Sequence, residues 1–76
     1  MTDVVSVPTG DRVRHAMREA AVTQAQAAAV IGVTQGQLSK RLSGRIQFRV
    51  GELTALAALC GVSVASLIGE NTEVAA

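Results

Sequence analysis

Side chains able to do chemistry are sparse in this sequence, and most of them fall in one stretch. The 76 residues contain one His and one Cys. His15 has no Cys and no cluster of carboxylates near it, so it makes no metal site. It lies opposite the apolar stripe of its segment and is read as a solvated surface residue, with a phosphate contact as the alternative. Cys60, being alone, can form neither an internal disulfide nor a multi-Cys metal site, and is read as a small buried hydrophobe. The chain shows no nucleophile–base pair, no metal cluster and no phosphate-binding loop. That pattern argues against an enzyme and calls for no cofactor, no metal and no small-molecule ligand.

What remains is a concentration of hydrogen-bonding and cationic groups in Gln35-Gly36-Gln37-Leu38-Ser39-Lys40-Arg41-Leu42-Ser43. Wound as a helix, this segment puts Leu38 and Leu42 on one face, which must be buried. Lys40 points nearly opposite, Gly36, Ser39 and Ser43 flank it, and Gln35 projects from the first turn. A Gln amide offers a donor and an acceptor side by side, which matches the major-groove edge of adenine, and Lys can donate to guanine or to phosphate. Between Ala20 and Gly51 there is no acid to repel a polyanion. Arg41, Arg45 and Arg49 recur every four residues, but Gly44 interrupts the helix between them. As helix-end and loop cations they suit the phosphates of a nucleic-acid backbone. Gly36 breaks a local rule, since Gly inside an exposed helix costs about 1 kcal/mol relative to Ala. Either the helix backbone approaches its ligand closely there, or packing holds the helix despite the glycine.

The elements that must position these groups are written in capping signals. Thr23 and Gln26 make a capping box, with Val22 before it able to staple onto Ala27. Ile31 closes this helix, Gly32 suits the left-handed stop position, and the device repeats: Val33, then Thr34 as cap, Gln37 as box partner and Leu38 as the second half of the staple. Two capping boxes separated by one Gly specify two helices joined by a very short turn. The first of the pair has small side chains at Ala27-Ala28-Ala29, which favour helix and allow close approach of a neighbour. Before this pair, a helix is expected from about Gly10 to Ala21, with Val13, Ala16, Met17 and Ala20 on one face, Thr9 as its cap and Asp11 in the first turn. After Gly44 a polar and basic loop leads to a fourth helix, Val50 to Cys60, with Leu53, Leu56, Ala57 and Cys60 at core spacing and Leu59 widening the stripe. Gly61 stops it, Ser63 caps a fifth short helix with Val62 stapling to Leu67, and Gly69 ends that helix. No strand pattern or internal repeat appears. The expected fold is therefore all-α, a compact bundle of about five short helices, with a lead-in at 1–8, one domain at 9–69 and a tail at 70–76.

Size and charge agree with this reading. One domain fits the length, and a domain this small is marginal alone and often relies on a partner subunit. Phe48 is the single aromatic residue, so stacking of single-stranded bases is excluded as a binding mode. Net charge is only +1, but residues 1–49 hold every Arg and Lys, while residues 50–76 hold Glu52, Glu70 and Glu73 and no base. A basic half joined to an acidic half implies one face toward a polyanion and one away from it. No run of ~20 apolar residues is present to span a membrane, and no signal peptide is visible, so a cytoplasmic location is expected.

Residues 9–69 resemble the Xre/Cro family, the DNA-binding fold of phage repressors and Cro proteins. The resemblance lies in Val22-Thr23-Gln24-Ala25-Gln26-Ala27-Ala28, Gly32 to Ser39, Gly44, Glu52-Leu53, Leu56-Ala57, Gly61-Val62-Ser63 and Leu67-Ile68. It implies a lambda-repressor-like helix-turn-helix domain that binds pseudo-palindromic operators in double-stranded DNA, commonly as a dimer. By position, Gln35, Gly36 and Lys40 match the base-reading residues, with Ser39 beside them. Gln24 is similar to the family's phosphate-clamping Gln at the start of the second helix, and Thr34, Gln37, Arg41, Ser43, Arg45 and Arg49 are expected along the DNA backbone. The sequence departs from the family at Leu42, where many members carry an acid, and at Gly36, which removes a side chain from a reading position. The implied function is a transcriptional regulator, a phage Cro-like protein or short repressor. An antitoxin-type autoregulator and a protein–protein interaction module are the alternatives on the same fold. A homodimer, at least on DNA, is expected through the C-terminal half, using the fourth-helix stripe with Val64, Leu67 and Ile68. Val74-Ala75-Ala76 is similar to the Ala-Ala end of bacterial degradation tags, or else a frayed apolar tail.

Overall fold

The structure, a computed structural model, describes residues 9–68. The lead-in at 1–8, the stop at Gly69 and the tail with Val74-Ala75-Ala76 lie outside the described residues. Five α-helices follow one another: α1 (Thr9–Ala20), α2 (Gln24–Ile31), α3 (Gln35–Leu42), α4 (Val50–Cys60) and α5 (Val64–Ile68). No strand occurs among the described residues, and the architecture is the all-α bundle that the capping signals imply. Two boundaries differ from expectation. Thr9 is the first residue of α1 rather than its cap, and α3 stops at Leu42, with Ser43 as its C-cap instead of its last turn.

Four of the helices end in the same way. Ala21, Gly32, Gly44 and Gly61 have φ of 58°, 76°, 88° and 73°. In each case the N–H of this residue donates to the carbonyl three residues back, and the N–H of the next residue donates to the carbonyl five back. The longer bonds are Val22 to Met17 at 2.8 Å, Val33 to Ala28 at 3.0 Å, Arg45 to Lys40 at 2.9 Å and Val62 to Ala57 at 3.0 Å. This is the Schellman closure, which satisfies the last carbonyls of a helix. Three times the left-handed residue is the glycine that adopts it cheaply. At the end of α1 it is Ala21, at a cost of about 1 kcal/mol or more for an L side chain.

After Ala21, Gly32 and Gly61 comes a Val and then a hydroxyl residue that starts the next helix. Thr23 Oγ1 accepts the Gln26 N–H at 3.0 Å while Gln26 Oε1 accepts the Thr23 N–H at 2.8 Å. Thr34 and Gln37 repeat the exchange at 3.1 and 3.2 Å, and Ser63 Oγ accepts the Ser66 N–H at 3.1 Å. The Val of each turn can fold inward, and Val22 and Val33 pack against the core. After Gly44 the corresponding residue is Arg45, which is exposed and has no hydroxyl cap behind it. There the chain runs on as a loop until Val50. Sequence alone therefore distinguishes the tight turn between α2 and α3 from the open loop after α3.

The core is built from thin side chains: Val13, Ala16 and Met17 of α1, Ala27 and Ala28 of α2, Leu38 and Leu42 of α3, Leu53, Leu56 and Ala57 of α4, and Leu67 of α5. Ala29 of the alanine run faces out. The N-terminal turn of α1 sits directly on the end of α3, so that a Cβ on Gly10 would collide with the Leu42 carbonyl oxygen. Leu67 was expected to help form a subunit contact. The structure corrects this: Leu67 is buried in the core, because α5 folds back against α1 and α4. Cys60 is half-buried against the same core, and burial pushes its thiol pKa up, which keeps it a hydrophobe rather than a thiolate.

Candidate nucleic-acid interface

The geometry of α3 follows from its two anchors. Leu38 and Leu42 are buried one turn apart, which turns Gln35, Gly36, Gln37, Ser39 and Lys40 outward, all of them exposed. Thr34 and Gln37 are exposed but occupied with each other in the capping box, so the Gln37 oxygen is taken and its NH2 end is what it presents. Gln24 stands exposed as the first residue of α2. Ser43 Oγ donates to the Lys40 carbonyl at 3.0 Å, closing the end of α3. Arg45 and Arg49 are exposed on the loop that follows. A Cβ on Gly36 would meet nothing nearer than Thr34 Oγ1 at 3.9 Å, so nothing inside the fold requires a glycine at that position.

This pair of short capped helices is decisive when set beside known families. A family model described as a helix-turn-helix domain matches residues 9–67. The chain belongs to the helix-turn-helix domain family. Neither the curated proteins nor the solved structures give a match. In this helix-turn-helix domain α2 and α3 are the paired helices, Gly32-Val33-Thr34 is the turn, and α3 is the second helix, the one such domains lay in the major groove.

One cation departs from the expected arrangement. Arg41 does not extend from the rim of the helix-turn-helix domain. Its Nε donates to Glu52 Oε1 at 2.9 Å, one terminal NH2 donates to Glu52 Oε2 at 3.2 Å, and the other donates to the Gln37 carbonyl at 3.3 Å. Both side chains are largely covered, at 10% exposure for Arg41 and 13% for Glu52. Glu52 Oε1 also accepts the Arg49 N–H at 3.1 Å, the bond that starts α4. The Arg41 hydrogen bond first of all, and then the Arg49 N–H, hold the Glu52 carboxyl below the usual carboxylate range, against the opposing effect of burial. As helix-end and loop cations Arg41, Arg45 and Arg49 look alike in the sequence, which does not display the pairing of Arg41. The available signal was Glu52 itself, the single acid between Glu19 and Glu70.

The helix-turn-helix domain thus brings Gln35, Gly36, Ser39 and Lys40 together on one acid-free face, with Arg45 and Arg49 beyond its C-terminal end. His15 is exposed on α1. Among the described residues no group of three or more His, Cys, Asp or Glu could hold a metal ion, and no helix is long and apolar enough to cross a membrane.

Proposed function

We propose that this helix-turn-helix protein is a sequence-specific double-stranded DNA-binding transcriptional regulator of the Xre/Cro type, a Cro-like protein or short repressor that binds a pseudo-palindromic operator as a homodimer in the cytoplasm. The observation that carries the reading is the exposed face of α3, polar, cationic and free of acid, presented by a tight turn from α2. Gln35, Ser39 and Lys40 lie where base edges would be read, with Gly36 leaving the helix backbone open beside them. Gln24, Arg45 and Arg49 serve the phosphates, and Thr34, Gln37 and Ser43 add polar groups at the ends of α3. Phosphate contacts give affinity and register, while the α3 face gives preference.

The experiment is selection of bound duplexes from a random DNA pool, followed by affinity measurement on the enriched site and on unselected DNA. Enrichment of a motif with two related half-sites is expected. Failure to enrich any motif overturns the reading in favour of a protein–protein interaction module on the same fold.

A further inference from the structure

The fork between Arg41 and Glu52 spans the loop after α3. Arg41 belongs to the last turn of α3 and Glu52 to the first turn of α4. The guanidinium holds α3 a second time through the Gln37 carbonyl, one turn back. The carboxylate holds α4 through the Arg49 N–H with the same oxygen that receives Arg41 Nε. One ion pair therefore fastens the end of α3, the start of α4 and the two mouths of the loop. Lys40, Arg45 and Arg49 stay exposed around it, and Arg41 alone of these four turns inward.

The rest of the grip on α3 comes from α1 and α2, on which it packs. The helix has eight residues and buries only Leu38 and Leu42. These contacts resist lifting of the helix, but none of them ties it to α4, so they leave rolling relative to α4 to the ion pair. A planar two-point fork does resist rolling, because both of its hydrogen bonds lengthen when either partner turns. Recognition of base edges needs side chains held within about 10–20° of the productive geometry.

We propose that Arg41 is a positioning residue: with Glu52 it sets the roll of α3 in the major groove, and it acts on base preference through Gln35 and Lys40 without touching phosphate itself. This rests on the DNA-binding reading above. A phosphate-contacting Arg41 makes the opposite forecast, since neutralising Glu52 would then release a cation and raise affinity for any duplex.

The test uses Glu52→Gln, Arg41→Lys, Arg41→Met and the double variant Arg41→Met/Glu52→Gln. Gln at 52 keeps an acceptor for the Arg49 N–H while removing the charge, and Lys at 41 keeps the charge while removing the fork. Affinity is measured on the selected site and on unselected DNA, well below the melting temperature, with the folded fraction read by circular dichroism. The preference for the selected site is expected to fall by about tenfold in every single variant, and the double variant to lose no more than either parent. A merely structural role would move the folded fraction, which scales both affinities alike and leaves their ratio unchanged. An unchanged ratio in Glu52→Gln and Arg41→Lys, beside a wild-type protein that does prefer its site, overturns the positioning role alone. So does an equal gain on both DNAs with a steeper salt dependence in Glu52→Gln, which assigns Arg41 to phosphate. A wild-type protein with no preference among duplexes overturns the DNA-binding reading and the positioning role together.

Discussion

Gln35 and Arg45 are both exposed and polar, yet they sit in different places, and the proposed function gives them different work. Gln35 opens the outward face of α3, whereas Arg45 follows the left-handed Gly44 beyond the helix end. Gln35→Ala is therefore expected to weaken the selected site by about 1–3 kcal/mol and to leave unselected DNA nearly unaffected. Arg45→Ala should weaken both alike and make the salt slope about one unit shallower, through one lost phosphate contact. Lys40→Ala should show both signatures, because a flexible ammonium serves a base or a phosphate. Binding titrations against salt on both DNAs separate the three, and equal losses for Gln35→Ala and Arg45→Ala on both duplexes would remove Gln35 from the base-reading set. Glu52 carries a second residue-scale forecast. Its folded pKa lies below the ordinary carboxylate range, so the unfolded chain takes up the proton first as pH falls. Its stabilisation is complete above that range and drains away as pH drops through it and on through the folded pKa. Glu52→Gln should melt lower than wild type at about pH 7 and lose less on acidification to about pH 3. Parallel acid curves for the two proteins would show that another group governs the acid limb.

At the scale of the elements, two glycines make opposite forecasts. Gly10 has no room for a side chain, because the Leu42 carbonyl occupies the place of its Cβ, while Gly36 faces open space. Gly10→Ala should destabilise the fold by about 1–3 kcal/mol, as overpacking of a helix contact does. Gly36→Ala should stabilise it by up to about 1 kcal/mol, since Ala is the better helix former. Chemical denaturation of both variants checks this, and a destabilised Gly36→Ala would mean that the start of α3 is held differently. Only one of the two glycines was legible as unusual beforehand. Gly36 offends a local propensity rule, which the sequence displays, whereas the demand on Gly10 comes from α3, some thirty residues on in the chain. The same division runs through the fold. The Thr-x-x-Gln boxes at Thr23 and Thr34 act within four residues, so both helix starts and the tight turn could be read directly. Ala21 hid the first Schellman closure, because its residue type does not favour a left-handed φ. The pairing of Arg41 is not legible in the sequence because Glu52 lies eleven residues away across a loop, where no spacing rule reaches. Leu67 was placed at the surface because its stripe on α5 does not say whether α1 or another molecule covers it.

At the scale of the whole molecule, charge and exposed apolar surface bear on different parts of the proposed function. Residues 9–68 hold all seven Arg and Lys but only three acids, Asp11, Glu19 and Glu52, and Glu52 is bound to Arg41. A polyanion therefore meets little opposition on the side of α3 and the loop after it. Leu59 and Val62 at the end of α4 and Ile68 on α5 remain exposed, even with Leu67 withdrawn into the core. A single eight-residue α3 would read only a short site, and joining two copies would multiply their affinities only when both helices reach the groove at once. For a symmetric pair, that fixes the half-sites about one helical turn, roughly 34 Å, apart on one face of the duplex. Sedimentation on a duplex with two half-sites at this spacing should give two chains per duplex. Moving the half-sites apart by about half a turn puts the second one on the opposite face, and the cooperative gain should vanish while each half-site still binds one chain. Leu59→Glu should likewise abolish the gain and spare single half-site affinity, since Leu59 lies in the last turn of α4, at the opposite end of that helix from the loop after α3. One chain per duplex at saturation, or binding indifferent to the spacing, would leave the protein a monomeric reader and would leave those apolar residues without this role.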